Sequence, residues 1–161
     1  MPNIQDWIRM YSSTNRDVRL RAAKGLLGRS EDAPLDLLID ILMNLSHEGL
    51  GANTERALLE RNDPELVPRM IGLLESHDDF VRQVACTVLG RSRDVTATPH
   101  LLRMVDDSNV MVRRAAGFGL AFLKDRSALE EVTRLHDRRR DDDIDVVMAL
   151  ECAMKSLSED E

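Results

Sequence analysis

Asp78-Asp79-Phe80-Val81-Arg82-Gln83-Val84-Ala85-Cys86-Thr87-Val88-Leu89-Gly90 carries the pattern of a single packed helix. Its apolar residues Val81, Val84, Ala85, Val88 and Leu89 recur at the three- and four-residue steps of one helix face. The same signature returns elsewhere in the chain. Val112-Arg113-Arg114-Ala115-Ala116-Gly117 begins 31 residues after Val81, and Val18-Arg19-Leu20-Arg21-Ala22-Ala23 begins 63 before it. The larger gap leaves room for one degenerate copy. A period of this length marks a stack of helix pairs, each too small to bury its apolar face alone. The expectation is one all-α domain over 1–161, with repeats at approximately 3–28, 34–61, 64–91, 97–123 and 127–157.

Within those repeats, first helices are expected near 4–12, 34–46, 64–76, 97–106 and 127–136, and second helices near 16–28, 49–61, 79–91, 109–123 and 144–157. Pro34 and Pro64 sit at helix starts, where a missing N–H does no harm, and Pro68 and Pro99 share one repeat position near a start. Gly28 and Gly90 fall near the ends of second helices and read as terminators. The connections Ser46-His47-Glu48, Ser76-His77-Asp78-Asp79 and Asp106-Asp107-Ser108-Asn109 offer side chains that cap the following helix. The stretch 137–143 reads as a longer loop, and the chain is expected to fray beyond Leu157.

Composition agrees with this reading. The 161 residues are 43% hydrophobic and 32% charged but only 3% aromatic, a profile that favours helices over strands. No apolar run approaches the ~20 residues that span a bilayer, and the first residues lack the basic and apolar segments of a signal peptide. Cys86 and Cys152 both fall on apolar helix faces and read as reduced core residues, hence a cytoplasmic location. A formal charge of −7 disfavours general nucleic-acid affinity.

The 78–90 tract resembles the second helix of HEAT-like repeats, particularly the short bacterial type first associated with phycobilin lyases. Leu66-Val67-Pro68-Arg69-Met70-Ile71-Gly72-Leu73-Leu74 is similar to that family's first helix. The resemblance runs over nearly the whole chain and is strongest in repeats one, three and four. Repeat two departs, with Gly51 in the arginine slot and Thr54-Glu55 in place of the Ala pair, and repeat five has Val147 in that slot. The resemblance implies a right-handed α-solenoid with the second helices lining the inner wall. It does not imply one activity, because the family hosts lyases, metal hydroxylases, DNA-binding proteins and adaptors.

The signature also has a physical reading of its own. Arg19, Arg82 and Arg113 each follow Asp17, Asp79 or Asn109 by a few residues. A turn carboxylate can therefore bond the guanidinium of its own or the next repeat, giving a structural ladder. Small residues such as Ala22, Ala23, Ala85, Ala115 and Ala116 allow close helix packing.

No catalytic constellation emerges. There is no glycine-flanked serine, neither cysteine has a visible histidine partner, and no glycine-rich loop follows a strand. His47-Glu48 resembles the His-Glu pairs of a dinuclear-iron hydroxylase built from HEAT-like repeats, but the pair is not repeated in register, so no metal and no cofactor are expected.

Residues four apart on the second helices define an exposed stripe. It carries Leu20 and Lys24, Arg56, then Gln83, Thr87 and Arg91, then Arg114, Phe118 and Phe122, with Arg21 and Asn53 beside it. On the stripe itself Lys24, Arg56, Arg91 and Arg114 are cations in an acidic chain with only Glu60 opposing, and two phenylalanines stand where a solvated face would be polar. The stripe points to a non-enzymatic monomeric adaptor that binds a partner protein or acidic peptide through the concave face. The alternatives are a phycobilin-lyase-like enzyme or accessory subunit, implied by the resemblance, and phosphate contacts to nucleic acid in the groove. No membrane role is expected.

Overall fold

The computed structural model describes residues 2–61, 63–138 and 143–158. Among them the structure is all-helical, with ten α-helices: α1 Ile4–Tyr11, α2 Arg16–Leu27, α3 Leu35–Leu45, α4 Gly51–Leu59, α5 Leu66–Leu73, α6 Asp79–Arg91, α7 Thr98–Met104, α8 Val110–Leu123, α9 Leu129–Arg138 and α10 Ile144–Ser158. These coincide with the expected spans to within a few residues, in the order of an α-solenoid. No helix among the described residues is long and apolar enough to cross a membrane.

Side-chain caps decide where the second helices begin. Asn15, Asp78 and Asn109 sit in extended backbone and accept hydrogen bonds from the first free N–H groups of α2, α6 and α8. Each such cap contributes about 1 kcal/mol. Repeat two is different. Ser46–Glu48 forms a 3₁₀ turn, Gly49 takes a left-handed φ of 77°, and α4 starts with no side-chain cap. Helix α9 continues through Asp137 and Arg138, so the expected loop begins later than the sequence implied. Helix α10 includes Ser158, one residue beyond where fraying was expected to begin, and residues 139–142 and 159–161, which hold most of that loop and the rest of the tail, lie outside the described residues.

Close contacts divide the chain into two compact units, Met1–Leu66 and Val67–Glu161. In the first, α1 packs on α2 and α3 on α4. Ala22, Ala23, Leu26, Leu38, Ile41, Leu42 and Leu58 are fully buried in its core. The Tyr11 hydroxyl donates to Asp40 Oδ2 at 2.6 Å, linking α1 to α3. Burial, followed by that hydrogen bond, holds the phenol well above its ordinary pKa. Arg61 donates to the carbonyls of Ser30 and Ala33 and pairs with Asp63, closing the turn after α2.

In the second unit α8 is the central helix, packed between α6 and α10. Glycine sets how closely these helices approach. A Cβ at Gly90 would lie 2.3 Å from Gly119 Cα, so α6 and α8 touch backbone to backbone there. Gly90 is therefore a helix-crossing residue inside α6, which runs on to Arg91, and not the terminator its position implied. Gly28 does cap α2, but in the right-handed region at φ −74°, a conformation that needs no glycine. Cys86 is buried as expected. Cys152 is exposed, on the same side of α10 as exposed Ile144, Met148 and Lys155.

Candidate functional site

Two arginine-centred arrangements occupy the second unit. The first is built on the turns between helices. Arg82 is only 8% exposed and lies among four acceptors. Its Nε and Nη2 reach Asp107 Oδ2 and Oδ1 at 2.8 and 2.9 Å, Nη2 reaches Asp79 Oδ1 at 2.7 Å, and Nη1 donates to the Ser76 carbonyl at 2.8 Å. Asn109 Nδ2 in turn donates to Asp79 Oδ2 at 2.7 Å. The Asp107 hydrogen bonds dominate in holding the Arg82 guanidinium protonated. Burial would raise the Asp107 carboxyl, but the Arg82 hydrogen bonds, the Asn109 N–H and two nearby guanidinium charges outweigh it and hold the pKa low.

The other signature arginines make part of this pattern. Arg19 Nη1 donates to the Ser13 carbonyl and Arg113 Nη1 to the Asp107 carbonyl, each six residues back, as Arg82 does to Ser76. Asp17 does not close on Arg19; it is exposed on the first turn of α2. The sequence reading missed Asp107, whose signal was available. It falls 31 positions after Ser76, so the next repeat's turn slot holds a carboxylate that reaches back to the preceding arginine.

The second arrangement is a cleft of about 320 Å³ between α6 and α8, lined by Gln83, Thr87, Met111, Arg114, Ala115, Phe118, Gly119 and Phe122. Close approach at Gly90 and Gly119 draws the helices together at one end, while Ala115 and Gly119 leave the floor without bulk. Phe122 is 53% exposed and Met111 39%, so two large apolar side chains meet solvent at one cleft. The Arg91 guanidinium lies 5.4 Å from the Phe122 ring centroid, within cation–π range. Arg114 Nη1 meets Asp145 Oδ2 at 3.0 Å, with the two side chains 36% and 53% exposed. Six residues of the expected stripe thus gather here: Gln83, Thr87, Arg91, Arg114, Phe118 and Phe122. Met111 was missed, although it lies three residues before Arg114 on the same helix face.

A family model of HEAT repeats matches residues 35–121, more than half of the chain. The chain belongs to the HEAT-repeat family. Its structure is similar to the crystal structure of an engineered protein from a structural genomics consortium, at a TM-score of 0.60 and 16% identity, covering 96% of this chain and 78% of that one. That likeness speaks to the fold alone. No curated protein matches the sequence significantly.

Within this HEAT-repeat chain, the stripe residues of the first unit are placed differently from those of the cleft. Leu20 is half-buried on α2, where Arg21 and Lys24 are exposed; on α4 Asn53 and Arg56 are exposed, and Arg56 Nε lies 3.8 Å from Glu60 Oε1. A larger cavity of about 480 Å³ surrounds Arg82, but its charges are already matched, with Arg103 Nη2 on Glu75 Oε1 at 2.6 Å beside the Arg82–Asp107 pair. His47 and His77 are exposed on separate turns. Among the described residues no three His, Cys, Asp or Glu side chains converge as a metal site. The Cys86 thiol is pushed up to about 12, by burial first and then by the Asp107 charge. A thiol so rarely ionised at neutral pH is a poor nucleophile.

Proposed function

We propose that this HEAT-repeat chain is a non-enzymatic interaction module that binds an acidic segment of a partner protein, with the α6–α8 cleft as its docking point. The observation that carries the proposal is the meeting of Arg91 and Arg114 with Phe118 and Phe122 around one open, mainly apolar cleft. Arginine and aromatic side chains in a small pocket are the chemistry that concentrates binding energy in protein interfaces. The guanidinium groups favour a carboxylate-bearing ligand, and half-buried Phe118 with exposed Phe122 and Met111 favours an apolar side chain between the charges. The family's general use in protein–protein contact fits this reading.

The test is capture of partners from the native cell on immobilised protein, identified by mass spectrometry. Replacing Arg114→Ala and Phe118→Ala together is expected to remove the captured partner while helicity and melting stay close to wild type. Phe122→Ala, at a more exposed position, is expected to weaken capture with no structural cost. Capture that persists through both variants places the docking surface elsewhere.

A further inference from the structure

We propose that Asp145 is a built-in competitor for the ligand of the cleft: an acidic peptide places one large apolar side chain against Met111, Phe118 and Phe122, and its carboxylate displaces Asp145 from Arg114. The inference rests on the acidic-segment reading above and adds its regulation.

Four observations support it. The Arg114–Asp145 contact at 3.0 Å joins one nitrogen to one oxygen, and both side chains are over a third exposed. A single-point pair in water is weak and exchanges readily with another carboxylate. Once displaced, Asp145 is not stranded, because it sits at the first turn of α10, where solvent and the helix dipole both favour a negative charge. Its backbone N–H is already held by Asp143 Oδ1 at 2.9 Å, so letting go of Arg114 does not unmake the start of the helix. Finally, Asp145 offsets the Arg114 charge at the cleft, so its neutralisation raises the attraction for any incoming carboxylate. The fork made by Asp107 on buried Arg82 has none of these properties and is not exchangeable.

The experiment titrates ¹⁵N-labelled protein with three N-acetylated peptides of equal length, alternating Leu/Glu, Leu/Lys and Gly/Glu. Leu/Glu is expected to shift the amides of Thr87, Arg114, Phe118 and Phe122, and to bind more tightly than the other two. Asp145→Asn is expected to tighten Leu/Glu by about two- to five-fold, the exchange of one exposed ion pair, without tightening Leu/Lys. Asp145→Ser, which also suits a helix start, should act alike. In an Arg114→Gln background Asp145→Asn should change nothing. If the cleft amides shift but both Asp145 variants bind Leu/Glu no better than wild type, the competitor role is overturned and the docking point stands. If no cleft amide shifts, or Leu/Lys binds as tightly as Leu/Glu, the acidic-segment reading falls with it.

Discussion

Arg82 and Arg114 sit on neighbouring second helices, and each is met by an aspartate from the following repeat, Asp107 and Asp145. The chemistry of the partners is the same, yet the consequences differ. Arg82 is buried, gripped by two oxygens of Asp107, and further tied to Asp79 and to a turn carbonyl. Arg114 is partly exposed and touches its aspartate once. Burial removes water as an alternative partner, so the first pair cannot open without stranding a charge, whereas the second can exchange its partner at little cost. The recurring arginine is therefore tied into the turns between helices, whereas the non-recurring one beside the cleft keeps one exchangeable contact.

The largest effect is expected from Asp107→Ala. It removes the bidentate partner of a buried guanidinium and is expected to destabilise the chain by about 3–5 kcal/mol, read from urea unfolding. Asp107→Asn serves for the pH dependence. The carboxyl is held below its ordinary value in the folded chain. Its contribution is therefore fully present above the unfolded carboxylate pKa of about 3.9 and is lost as pH falls through the lower folded value. Wild type should lose stability over that acidic window, and Asp107→Asn should lose less of it. A loss below about 1 kcal/mol for Asp107→Ala would place Arg82 in the same energetic class as Arg114, and the contrast would collapse.

Next in size is Gly90→Ala. The new Cβ meets the Gly119 backbone, which has no rotamer to yield, so α6 and α8 must separate. Overpacking of this kind costs about 1–3 kcal/mol, measured by thermal or urea unfolding. The same shift widens the α6–α8 cleft, so Leu/Glu peptide binding should weaken together with stability. Gly72→Ala, where nothing lies within 4 Å of the added carbon, should be neutral or slightly stabilising and serves as control.

These two sites also show what the sequence could and could not reveal. Helix spans were legible because period and caps are local: Asp78 and Asn109 mark two helix starts directly. The stripe on α6 and α8 was legible because residues four apart must share a face. Gly90 was misread because close approach depends on Gly119, which lies 29 positions away in sequence and is brought near only by packing. Asp107 was passed over for a similar reason: a turn carboxylate can serve its own repeat or reach back, and only tertiary placement chooses. Cys152 has the spacing of a core residue, but spacing does not say whether another helix covers that face.

The smallest effect is also the most discriminating, because it compares adjacent residues. Arg113 reaches back to the carbonyls of Asp107 and Ser108, while Arg114 faces Asp145 at the cleft. Arg113→Ala leaves turn carbonyls without a charged donor and is expected to cost about 1–2 kcal/mol. Arg114→Ala should cost less than about 1 kcal/mol, as exposed pairs do. Their order in binding should be the reverse, with Leu/Glu peptide affinity falling for Arg114→Ala and holding for Arg113→Ala. Equal losses in both measurements would mean that the repeat does not divide its arginines between stacking and recognition. The opposed order would show that division across a single peptide bond, since the two side chains share a helix turn and differ only in the face they present.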